Sequence, residues 1–294
     1  MIMKCFLLSF HLLLGLFVTG GIFIAMTSFF QVSWARFFQR LIPRWEKLAW
    51  GVPLLFVPLL LGGSHYLPWS EMKSHKTLYY QNWFILLRVI LISTALFGGS
   101  RLLKKTPTLA IILLFVSGSW IAVDWGMGFE EHWASNIYGL LWLVSMGFAF
   151  FSLALFFSAR EASASERKDL AHVLITLAIM WGYLQYSQFI IFWMGNKPSE
   201  VKFYVERNYP LGLLAAVLVL KLVPVLGVSF FPRLKESSLV LRILAVSVLL
   251  GSWLEIQWLL GPALDLLPVL GLLGSGLFLL VFFVPLLLFE RRWA

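Results

Sequence analysis

Ionisable side chains sit inside long apolar runs, among them Arg88, Lys221 and Glu255. A lone charge in lipid is costly, so such residues mark proton or ion routes, or pair with one another. Arg88 and Glu255 fall at similar depths in their runs and carry opposite charges. They read as a charged pair lining a proton or quinol route, as a structural pair, or as independent side chains reaching for the headgroups. Lys221 lies near the middle of its run, just before Pro224. It reads as a proton-conducting lysine, as one that satisfies the carbonyl freed by the proline, or as the partner of an acidic group on an adjacent subunit. Proton transfer needs groups whose pKa burial can move, and a desolvated Lys or Glu qualifies.

A second constellation lies between residues 181 and 192. Trp181, Gln185, Gln188 and Phe192 recur at helical spacing and share one face. Tyr183, Tyr186 and Ser187 add hydroxyls nearby. Two glutamines on one face predict interhelical hydrogen bonds, each worth about 1 kcal/mol. The alternative is a site for a quinone-like headgroup, whose carbonyls accept hydrogen bonds. A third group gathers where apolar runs meet polar loops: Asp124, Trp125 and Glu130 to Trp133, then Gly195 to Pro198.

The elements that must carry these residues are membrane helices. Sixty per cent of the 294 residues are hydrophobic and 13% are charged, and the mean hydropathy is +0.87. That composition excludes an ordinary soluble domain. The apolar runs are continuous and do not alternate, so helices are expected in place of a barrel. Nine segments approach spanning length: 5–30, 48–63, 82–99, 107–123, 136–158, 169–194, 211–231, 239–260 and 267–289. The second is short and carries Pro53 and Pro58. The first is too long for a signal-peptide core, so it reads as a retained span. The expected fold is all-α: one integral membrane domain of about nine transmembrane helices over 1–294.

Loop charge alternates along the chain. One set of loops holds fourteen basic residues, including Arg36, Arg40, Arg101, Lys104, Arg160, Arg167, Arg233 and Lys235, and the other set holds six. The positive-inside rule puts the richer set in the cytoplasm, with the N-terminus outside and the C-terminus inside. Asp124, His132, Asn196 and Arg207 then face the outside. The net charge of +9 is an orientation signal and does not imply nucleic-acid binding. Cys5 is the one cysteine, and His11 and His172 are isolated, so neither a disulfide framework nor a metal site is expected. Gly20-Gly21 reads as a helix-contact or termination feature.

Three motifs in order resemble one family. Asp124–Gly139 (DWGMGFEEHWASNIYG) resembles a motif of one integral membrane subunit of bacterial alternative complex III, a quinol:cytochrome c oxidoreductase. Glu131 stands where that pattern commonly has Pro. Lys168–Arg207 is similar to that family's span and loop through Ser187-Gln188-Phe189 and Gly195-Asn196-x-Pro198. Trp253-Leu254-Glu255, Trp258 and Gly261-Pro262-Ala263-Leu264 complete the match, which covers about residues 105–285. The family commonly has ten spans, and the N-terminal third matches weakly. It belongs to the wider polysulfide-reductase membrane group.

The resemblance implies a bacterial inner-membrane subunit of a quinol-oxidising respiratory complex. Its partners would be a multihaem cytochrome, an iron–sulfur subunit and a second large membrane subunit. Haem and iron–sulfur centres are expected in those partners, and this chain alone would bind no cofactor beyond a quinone or quinol. The resemblance also implies a role in assembly and a proton half-channel. Asp124, His132, Ser187, Gln188, Asn196, Arg207 and Glu255 are the residues carried over. Lys221, Glu255, Arg88, Asp124 and His132 are then the proton-path candidates. Gln185, Ser187, Gln188, Asn196 and Arg207 are the quinone or interface candidates. No catalysis on a covalent bond is expected from this chain alone. Two readings compete: a secondary transporter, which predicts related halves with interrupted helices, and a purely structural scaffold.

Overall fold

A computed structural model describes residues 2–30, 32–66, 79, 81–130, 133–205, 211–266 and 269–277. Those residues are helical or irregular, with no strand among them. The long helices are α1 (Ile2–Met26), α5 (Asn82–Leu102), α6 (Pro107–Trp125), α7 (Tyr138–Glu161), α8 (Ala164–Gly195) and α13 (Ser238–Leu260). Short helices α2 (Ala35–Gln39), α3 (Ile42–Leu48) and α4 (Val52–Tyr66) precede α5, and α9 (Pro198–Val205) follows α8. Before α13 come α10 (Leu211–Lys221), α11 (Val223–Ser229) and α12 (Pro232–Lys235). Residues 269–277 form α14.

Among the described residues seven helices are long and apolar enough to cross a membrane, with α10 and α11 taken as one span. The described residues therefore account for seven of the nine or so expected spans. The segment 48–63 becomes a 3-10 turn, Ala49–Gly51, followed by α4. At 15 residues, α4 rises ~22 Å against a hydrocarbon core of ~30 Å. The last expected span, 267–289, lies mostly outside the described residues.

Helices that are apolar all round belong in the centre. Thus α1 and α7 are the most buried spans. α1 packs on α6 and α7, α7 on α13, and α13 on α10. α5, α8 and α10 turn broad apolar faces outward, where lipid replaces water as the solvent. Hydroxyls inside the spans bond back to the carbonyl four residues earlier. Thr19 donates to Gly15 at 2.7 Å, Ser117 to Leu113 at 2.7 Å and Ser152 to Phe148 at 2.8 Å. This hides a polar group that lipid cannot satisfy.

Gly20-Gly21 is a contact feature. A Cβ at Gly20 would meet Trp45 at 2.3 Å and Phe150 at 2.6 Å. The bare backbone lets the Trp45 indole lie across α1 and donate to the Phe17 carbonyl at 3.0 Å. α14 is tied in by Ser275. Its Oγ accepts from Trp253 at 3.0 Å and from Gln257 at 2.9 Å, and its carbonyl accepts from Ser9 at 3.1 Å.

The basic loops collect at one end of the bundle. Arg40 meets Glu161 at 3.3 Å, Arg101 meets Glu46 at 3.7 Å, and Arg167 donates to the Glu236 carbonyl at 2.5 Å. Exposed pairs of this kind add at most about 1 kcal/mol each. Their value here is geometric, since they place four loops of the basic set together.

Candidate functional site

Lys221 and Glu255 form an ion pair inside the bundle, with Nζ 2.6 Å from Oε2 and exposures of 0% and 1%. Four helices build the site. Lys221 ends α10, and Glu255 sits five residues before the end of α13. Ser145 of α7 donates to Glu255 Oε2 at 2.5 Å and accepts from Lys221 at 3.0 Å. Trp181 and Gln185 of α8 donate to Glu255 Oε1, at 2.9 Å and 2.6 Å. Each carboxylate oxygen therefore has two donors, which offsets the large cost of taking a charge out of water. The ammonium also lies 4.3 Å from the centre of the Trp181 ring and 5.3 Å from that of Phe148. A cation over desolvated aromatic faces gains on the order of 2 kcal/mol.

Local sequence explains how Lys221 reaches the site. Pro224 cannot donate to the Leu220 carbonyl, so the helix breaks at Leu222. The freed carbonyl accepts instead from Ser247 at 2.7 Å. Lys221 is thus not the partner of the kinked backbone, and its counter-ion is Glu255 of its own chain. Gly251, one turn before Glu255, gives the lysine stem its room, because a Cβ there would meet Lys221 Cγ at 2.6 Å. Gly251→Ala should therefore push the ammonium off Glu255 and destabilise the fold by about 1–3 kcal/mol. Unfolding in detergent checks this, and a wild-type midpoint would show that the stem can move aside freely.

A second buried pair lies between α5 and α6. Arg88 Nη1 donates to Asp124 Oδ2 at 2.8 Å, with exposures of 4% and 6%. Arg88 Nη2 donates to the Tyr79 carbonyl at 2.9 Å. The Tyr79 hydroxyl donates to Asp124 Oδ1 at 2.5 Å. The guanidinium lies over the Tyr79 ring at 3.8 Å. Burial, and then the Asp124 carboxylate beside it, push the Tyr79 phenol above its ordinary range, so it remains a donor at neutral pH. This geometry corrects the reading that joins Arg88 to Glu255. α5 and α6 form an antiparallel hairpin, and residues at similar distances from its turn face each other. The apolar run stops at residue 123, which places Asp124 at the start of a loop, but the helix continues to Trp125.

His11 serves structure. Its Nε2 bonds the Trp125 carbonyl, at the end of α6, where helix geometry supplies no intrahelical donor.

No family model matches this chain, and no curated protein matches it.

The polar stripe of α8 is real and faces inward. Gln185 is committed to Glu255, and one turn further Gln188 accepts from Ser135 at 2.5 Å. Gln188 is 2% exposed, and its Nε2 has no partner among the described residues. Polar groups thus step from Glu255 along α8 to the loop that follows α6. Ser187 turns away and donates to the Tyr183 carbonyl at 2.8 Å. Asn196 takes a left-handed conformation, with φ 41°, as the C-cap of α8, a role that suits asparagine. Gln185 and Gln188 therefore face separate partners, Ser187 turns back on its own helix, and Asn196 caps that helix. His132 and Arg207 lie outside the described residues.

Sequence reasoning missed Ser145, Phe148 and Tyr79 as site residues. Ser145 is one hydroxyl in a run of apolar residues and carries no periodic signal. Trp181 lies on the recognised stripe, four residues before Gln185, so its contact with the acid was open to inference.

Proposed function

We propose that this chain is a multi-pass membrane subunit of a quinol-oxidising respiratory complex of the alternative complex III type, in a bacterial inner membrane. The basic end of the bundle faces the cytoplasm in this reading, with the N-terminus outside. Lys221 and Glu255 are its proton-exchanging element, and Gln185, Gln188 and Ser135 form the approach from the outer face. Quinol oxidation and the haem and iron–sulfur centres belong to partner subunits.

The observation that supports this most is the Lys221–Glu255 pair itself. Two opposite charges at 2.6 Å, fully buried, stand at the inner end of a polar stripe that runs toward one face. Packing alone does not call for such a pair, because replacing buried ion pairs by apolar residues often stabilises. Use of its protons gives the pair a reason to be there. Removing the carboxylate removes the group that accepts the proton, and general acid–base groups contribute about 10²–10⁴-fold. In the purified complex, Glu255→Gln should reduce proton translocation at least ~10-fold while assembly and quinol oxidation persist. Wild-type coupling in that variant refutes the proton role. Gentle purification followed by mass spectrometry and a haem spectrum tests the complex itself, since isolation without redox partners refutes membership.

A secondary transporter is the second reading, because the break at Leu222 places an interrupted helix beside a buried charge. Solute uptake by the reconstituted chain alone would establish it.

A further inference from the structure

At the basic end of the bundle lies a cavity of about 560 Å³. It is built where α1 ends and the chain turns toward α2, against the α5–α6 turn. Arg36 and Lys104 line it, with the hydroxyls of Ser28 and Ser33 and the apolar side chains of Phe30 and Val32. Gln39, which donates to Thr27 Oγ1 at 2.8 Å and to the Ile24 carbonyl at 3.3 Å, fixes its floor.

Three cations at this end are already engaged. Arg40 and Arg101 have carboxylate partners, and Arg167 is held by the Glu236 and Ala162 carbonyls. Arg36 and Lys104 are the two cations that line the cavity. Arg36 uses only its Nε, on the Ser33 carbonyl at 3.2 Å, and Lys104 has no partner among the described residues. One acid opposes them: Glu166 lies near Arg36 and bonds Ser33, and it is also the capping carboxylate of α8. Two cations against one carboxylate leave a net positive, hydroxyl-lined cavity.

Its position narrows the ligand. Phe29 and Phe30 are 56% and 50% exposed beside it, at the level where α1 leaves the apolar zone. An anionic group with attached hydrocarbon satisfies both halves of this surface, and basic pockets at helix ends recognise anionic headgroups in this way. We propose that the cavity holds the phosphate of an anionic phospholipid, with Arg36 and Lys104 as its counter-charges and Phe29 and Phe30 against the acyl chains. The proposal is independent of the redox reading above.

The test uses the full chain in neutral detergent, titrated with phosphatidylglycerol or with phosphatidylcholine of the same acyl chains, and read by native mass spectrometry. Phosphatidylglycerol should bind and phosphatidylcholine should bind far more weakly. Each cation removed should weaken binding about fivefold, so Arg36→Gln with Lys104→Gln should weaken it roughly 30-fold. The control, Arg233→Gln with Lys235→Gln, removes the same charge from the same end and should stay within about threefold of wild type. Equal losses in the two double variants overturn the site, as does equal binding of the two lipids. Inorganic phosphate that competes fully with phosphatidylglycerol at equal concentration overturns the lipid as source. If the double variant does not fold, Lys104→Gln alone, at an exposed turn, should still show the fivefold loss, and wild-type binding in it refutes the proposal.

Discussion

Lys221→Met should destabilise the protein by about 3–5 kcal/mol, because it strands Glu255 as a buried carboxylate without a counter-charge. Ser145, Trp181 and Gln185 would still donate to that carboxylate, but hydrogen bonds alone do not replace the ammonium. Glu255→Gln should cost less, about 1–3 kcal/mol, since the amide oxygen can still accept from Lys221, beside Ser145 and the aromatic faces, but carries no charge. The double variant should be milder than the sum of the two, by about 2 kcal/mol, because neither partner is then left charged in the interior. Reversible unfolding of the four proteins in mixed micelles gives the coupling directly. Strict additivity would mean that the pair does not share its energy, and the structural case for a coupled proton site would fall with it.

Arg88→Met is the second large effect, again about 3–5 kcal/mol. It removes three interactions at once: the bond to Asp124, the bond to the Tyr79 carbonyl and the stacking on the Tyr79 ring. Asp124 would keep the Tyr79 hydroxyl but lose its counter-charge. Arg88→Lys should recover only part of the loss. An ammonium cannot reach two acceptors through separate nitrogens while lying flat on a ring. Thermal unfolding of both variants measures this, and a lysine variant as stable as wild type would show that charge alone suffices there.

Span limits are legible in the sequence wherever an apolar run is closed by punctuation. Pro107 opens α6 and the Ser163–Glu166 capping box opens α8, with mutual bonds at 3.3 and 2.9 Å. Runs near the length threshold are not legible. The segment 48–63 has the composition of a span, but the described residues resolve it into a 3-10 turn and the 15-residue α4, with Pro58 inside the helix. The buried charges stand out because burying them is costly, and that signal points to the correct residues. It does not point to their partners, because depth along a helix says nothing of which helix lies beside it. Arg88 and Glu255 share a depth, yet one packs in the α5–α6 hairpin and the other among α7, α8 and α10. Asp124, just past the end of its apolar run, was the local clue to the first pair, and counting apolar residues discards it.

The lysine and its acid are 34 positions apart in the chain. When Lys221 emerges from the ribosome, its counter-ion is still inside it. Passing a lone lysine at mid-helix from the translocon into lipid is unfavourable by about 3 kcal/mol. The stretch from Leu211 to Leu260 therefore has reason to enter the bilayer together, as one hairpin closed by its own charges. Biogenesis, and not only operation, then depends on the order in which these two residues are synthesised.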